Sequence, residues 1–63
     1  MYKFVIHPVD HTATKILVDS KRVVGLVEKS GITVITVEDK WGNDFIFNIS
    51  DNFDYIAGKI IHD

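Results

Sequence analysis

Residues 32–50 read ITVITVEDKWGNDFIFNIS, two runs rich in Ile, Val, Thr and Phe around the polar break at 38–44. β-Branched and aromatic side chains suit a pleated, half-buried surface, whereas Gly, Asn and Asp suit a tight turn. The stretch predicts a β-hairpin and is the clearest local signal in the chain. Upstream, residues 2–7 alternate Tyr2, Phe4 and Ile6 against Lys3, Val5 and His7. They predict a first strand that Pro8 stops, because proline has no N–H to give a ladder. Residues 10–14 read as a turn or loop, 15–19 as a second strand and 20–22 as a polar break. A third strand follows at 23–28, with Gly25 as a candidate bulge, and Lys29, Ser30 and Gly31 turn the chain into the hairpin.

The period changes after Ser50, where Phe53, Ile56, Ala57 and Ile60 fall on one helical face. Residues 51–61 therefore predict an α-helix. Ser50 or Asp51 is placed to cap it, with Asp51 and Asp54 at its positive end and Lys59 near its negative end. Gly58 costs such a helix up to about 1 kcal/mol. The expected fold is α+β, a small antiparallel sheet of about five strands followed by one C-terminal α-helix, in a single domain over residues 1–63.

The strand at 32–37 is apolar on both faces, Ile32 and Val34 on one, Ile35 and Val37 on the other. The third strand sets Val23 and Val27 against Val24 and Leu26 in the same way. A two-sided antiparallel sheet needs cover on both sides, and one helix covers one. Either the sheet curls into a small barrel or a second subunit covers the remaining face.

Size favours the dimer. A core in 63 residues rarely supplies more than about 3–5 kcal/mol, so small folds need a further staple. The chain has no cysteine, which removes disulfides and thiolate zinc sites. Self-association is the staple that remains. Composition, 46% hydrophobic and 25% charged, is that of a folded chain, and a net charge of −2 is neither the basic balance of a nucleic-acid binder nor the acidity of a DNA mimic. The apolar runs are too short for a membrane helix, and no basic region with an apolar core opens the sequence. No membrane partner and a cytoplasmic location are the expectations.

From Lys15 onward the pattern resembles the small FlbD-type flagellar-operon proteins and similar short phage and bacterial domains. The resemblance lies in Ile16-Leu17-Val18-Asp19, in Arg22-Val23-Val24-Gly25-Leu26-Val27-Glu28, in Thr33-Val34-Ile35-Thr36-Val37, and in Phe47-Asn48-Ile49-Ser50 leading into the helix. It implies a small non-enzymatic fold. The family's Glu-Ser pair at the entry to the helix is replaced here by Asn48-Ile49-Ser50-Asp51. Length and strand order also resemble the carbon-storage-regulator RNA-binding dimers. Their basic first strand has no counterpart in Phe4-Val5-Ile6-His7, which carries no arginine.

Candidate chemistry is sparse. His7, Asp10 and His11 offer metal-ligand atoms, but a His-x-x-x-His pair converges on one ion from a helix face, and Pro8 works against a helix there. No metal and no cofactor are expected. Glu38, Asp39, Asp44, Asp51 and Asp54 fall in a turn and a helix cap, roles that account for them without general acid–base chemistry. No nucleophile elbow or phosphate loop is present, and the chain is not expected to be an enzyme.

Trp41 lies in the hairpin turn between Lys40 and Gly42, where a core role is hard to arrange. Tryptophan is among the residues most enriched in binding hot spots. Trp41, Lys40 and Asn43 are therefore the candidate partner-binding residues; packing of Trp41 onto Phe45, over the sheet edge or across the dimer is the alternative. Three functional classes are open to such a chain. The first is a non-enzymatic interaction module, a phage or bacterial accessory factor that inhibits or adapts a host protein by stoichiometric binding. The second is a small nucleic-acid-binding β dimer using Lys15, Lys21 and Arg22. The third is a homo-oligomeric structural subunit assembled through its sheet edges.

Overall fold

The computed structural model describes residues 3–10 and 12–61; Tyr2 of the expected first strand, His11, His62 and Asp63 lie outside the described residues. Strands β1 (Lys3–Ile6) and β2 (Ile16–Asp19) pair antiparallel, Phe4 opposite Val18 and Ile6 opposite Ile16. A 3-10 turn at Ser20–Arg22 then leads into a meander of β3 (Val23–Lys29), β4 (Ile32–Glu38) and β5 (Asp44–Ile49). Helix α1 (Phe53–Ile61) follows and packs against β3 and the 3-10 turn. The fold is α+β, its five strands divided between a two-stranded and a three-stranded sheet.

Local chemistry accounts for the turns. Ser30 and Gly31 join β3 to β4 with φ of 53° and 78°. Two positive φ values in a two-residue loop are those of a type I′ turn, whose twist matches the flanking strands. Asp19 Oδ1 accepts the Lys21 N–H at 3.0 Å, which converts the expected polar break into an ordered 3-10 turn.

The sheets are joined where β1 runs out. Pro8 does not turn the chain away; it bridges Ile49, and the Val9 N–H donates to the Asn48 carbonyl at 2.9 Å while the Ser50 N–H donates to the His7 carbonyl at 3.0 Å. The ladder skips the proline, whose missing N–H is not called upon. Asp51 closes the seam. Its Oδ2 accepts the His7 backbone N–H at 2.7 Å and its Oδ1 pairs with His7 Nδ1 at 2.9 Å.

This use of Asp51 corrects the expected helix start. Neither Ser50 nor Asp51 is the cap, because Ser50 and Asp51 are both bonded to His7. Asn52 caps instead, its Oδ1 accepting the Asp54 and Tyr55 N–H groups at 2.9 and 3.3 Å, and α1 begins at Phe53.

The core is Phe4, Ile6, Val18, Ile35, Ile49 and Ile56, with Leu26, Val37 and Phe47 half-buried around it. A second correction concerns β3. The register shifts between Val23 and Gly25, so Val23 and Leu26 stand opposite Val37 and Ile35 on the core side. The extra residue of a bulge reverses the alternation of the residues after it, and the expected grouping of Val23 with Val27 fails for that reason. No helix among the described residues is long and apolar enough to cross a membrane.

Asp51→Ala removes both acceptors from His7 and is expected to cost about 1–3 kcal/mol. His7→Ala keeps the backbone bond and is expected to cost under about 1 kcal/mol, its imidazole being half exposed. Asn52→Ala is expected to cost about 1 kcal/mol. Urea unfolding of the three variants checks this order; equal losses from Asp51→Ala and His7→Ala would mean that the backbone bond of the seam contributes nothing.

Candidate functional site

The turn between β4 and β5 is built around one carboxylate. Asp39 Oδ1 accepts the N–H groups of Trp41 and Asn43 at 2.8 and 2.9 Å, and Oδ2 accepts the Asn43 side-chain amide at 3.2 Å. The backbone adds two bonds, Gly42 N–H to the Asp39 carbonyl at 3.2 Å and Asp39 N–H to the Asn43 carbonyl at 2.8 Å. Gly42 has φ of 85°, so this is a turn closed by a left-handed glycine, a common way to end a three-residue hairpin loop. Asp at the first position of a turn and Gly at the fourth is the sequence signal for it.

Electrostatics follow from those bonds. The Asn43 N–H, working against the desolvation that opposes it, holds the Asp39 carboxyl below the usual carboxylate range; the Trp41 N–H, the Asn43 amide and the charge of Arg22 act in the same direction.

The result is a fixed turn that holds an indole out to solvent. Trp41 is 76% exposed, and the Lys40 ammonium lies 4.6 Å from the centroid of its ring. Lys40 and Trp41 therefore form one exposed unit, whereas Asn43 spends its side chain on Asp39. Phe45 and Ile46 at the start of β5 are also exposed, on opposite faces of the sheet. Sequence patterning placed both in a strand and named Phe45 only as a packing partner for Trp41; an apolar run in a strand carries no sign of which members stay uncovered. Glu38 and Asp44 stand directly opposite each other at the mouth of the turn.

The other candidate residues are dispersed. Lys21 and Arg22 lie on the 3-10 turn, with Arg22 close enough to act on Asp39. Lys15 precedes the opposite end of β2, about 13 Å from Asp19 at strand rise. The three cations are exposed but do not converge. His7 is engaged by Asp51, and Asp10 Oδ2 accepts the Asn48 amide at 2.7 Å. Among the described residues no three His, Cys, Asp or Glu side chains come together as a metal site, and no pocket is enclosed.

Comparison with protein-family models, with curated proteins and with solved structures finds no match for the chain.

A carboxyl with a native pKa below its unfolded value adds stability that is complete above the unfolded value, about 3.9 for Asp, and is lost as pH falls through the native one. Asp39 is expected to behave so. Asp39→Asn should be less stable near neutrality and should lose less than the parent chain on going below about pH 4. Urea midpoints at several pH values check this, and an unchanged acid limb in the variant would remove Asp39 as its source.

Proposed function

We propose that this chain is a non-enzymatic protein-interaction module that binds another protein stoichiometrically through the β4–β5 turn, with Trp41 as the anchor. The observation that carries this reading is an indole 76% exposed on a turn immobilised by Asp39. Exposed tryptophan is unfavourable in water, and large aromatic anchors dominate binding energy at protein interfaces. A turn already fixed in one geometry also spares the ordering cost that a flexible loop pays on association.

Lys40 takes part through its position over the ring, adding a cation and a hydrocarbon stem to the contact surface. Asn43 acts by holding Asp39 and so the orientation of Trp41. Phe45, on the Val37 side of the sheet, extends the surface along β5. An accessory factor that inhibits or adapts a larger protein by occupying one of its grooves fits these features. In this reading the chain works as a homodimer, because a single helix covers only one side of the three-stranded sheet. The nucleic-acid reading has less support, since Lys15 stands away from Lys21 and Arg22.

Immobilised chain and its Trp41→Ala variant, exposed to the same extract with and without nuclease treatment, test the reading. A protein retained in stoichiometric amount by the parent chain should bind the variant at least about thirtyfold more weakly, the threshold for a hot spot of about 2 kcal/mol. Equal retention by both would overturn the assignment of Trp41, and retention that disappears on nuclease treatment would favour nucleic acid.

A further inference from the structure

The side of the β3–β4–β5 sheet turned away from the core is apolar in the middle and oppositely charged at its two ends. Strand register defines it. Lys29 pairs with Ile32 at one end, Val27 with Val34 comes next, then Thr36 between Gly25 and Ile46, and Glu38 with Asp44 at the far end. Val27, Ile32 and Ile46 remain 55, 47 and 69% exposed. Asn48, also on this side, donates its amide to Asp10, whose carboxylate lies by the Val27–Val34 row.

The charges at the ends are unbalanced. Like charges directly opposite each other on neighbouring strands are destabilising, yet Glu38 stands opposite Asp44. Among the described residues, neither acid makes an ion pair, and nor does Lys29. Lys40, the cation next in the chain, lies over the Trp41 ring. From Ile32 to Glu38 the strand spans about 20 Å, roughly twice the Debye length in physiological salt. Lys29 therefore cannot serve Glu38 or Asp44 of its own chain.

We propose that this face pairs with the same face of a second copy across a two-fold axis, strands antiparallel. Lys29 of each chain then meets Glu38 and Asp44 of the other. The proposal rests on the dimer in the functional reading above and adds the surface and the geometry. Charge complementarity selects the occupant: a face positive at one end and negative at the other is its own complement when reversed, and repels itself when stacked in the same sense. Reversal also lays the Val27 row over the Gly25 row of the second copy. Gly25 has no side chain, and a Cβ built there meets only Thr36, at 3.7 Å, so a notch stands where Val27 of the other chain arrives. Two sheets stacked at about 10 Å in near alignment are a standard packing. Three strands of this length bury an area at the small end of specific interfaces, so the dimer dissociates on dilution. Trp41 at the turn stays available to a different partner.

Sedimentation equilibrium across a wide concentration range at physiological salt tests this, with Lys29→Glu and the double variant Glu38→Lys/Asp44→Lys. The parent chain is expected to show a monomer–dimer equilibrium, and each variant alone to dimerise at least tenfold more weakly. An equimolar mixture of the two is expected to recover the dimer, because each then offers the charge that the other lacks; that recovery also shows that both are folded. A parent dimer with both variants equally tight would overturn this face while leaving the dimer itself standing. A parent chain that stays monomeric throughout would overturn both, without bearing on the Trp41 test.

Discussion

The fold depends on the seam between residues 7–9 and 48–51. A lone two-stranded hairpin such as β1 with β2 is marginal in water, and here it is held to the meander by backbone bonds from Val9 and Ser50 and by the Asp51 carboxylate on His7. The seam also brings Phe4, Ile6 and Val18 over Ile35 and Ile49, which makes one core out of two sheets. Because Asp51 is clamped and Asn52 caps the next turn, the direction of α1 is settled at its first residue, and Ile56 enters the same core. The segment bearing the single proline therefore contributes by leaving one strand partner for another.

Once α1 is seated, the sheet has a covered side and an uncovered one. Six buried apolar side chains form the centre, a small core by any measure, and domains of this size gain from any further burial. The uncovered side and the β4–β5 turn are separate surfaces with different chemistry. One is flat, aliphatic and charged at its ends; the other is a projecting aromatic with a cation over it. In the proposed reading the first serves self-pairing and the second a different protein.

Much of this was legible in local sequence, and for a local reason. Strands, the Ser30–Gly31 turn and the helical face of Phe53, Ile56 and Ile60 are encoded by neighbours whose backbone geometry they set themselves. The turn at Asp39 belongs here too, since its carboxylate bonds residues two and four positions ahead. By itself the sequence determined the order of elements, the α+β class and the excess of apolar faces over the helix available to cover them.

Tertiary structure decided the rest wherever one group had two suitors. Asp51 could have capped the helix beside it, but His7, distant in sequence, takes both of its oxygens, and the cap passes to Asn52. Val24 could have kept the alternation of β3, but the register with β4 makes it the extra residue and moves Val23 to the core side. Trp41 could have folded onto Phe45, and instead stands clear because the turn beneath it is closed by Asp39. In each case the competing local arrangements were open to the same residues, and long-range pairing or a closed turn, which periodicity alone does not register, chose between them.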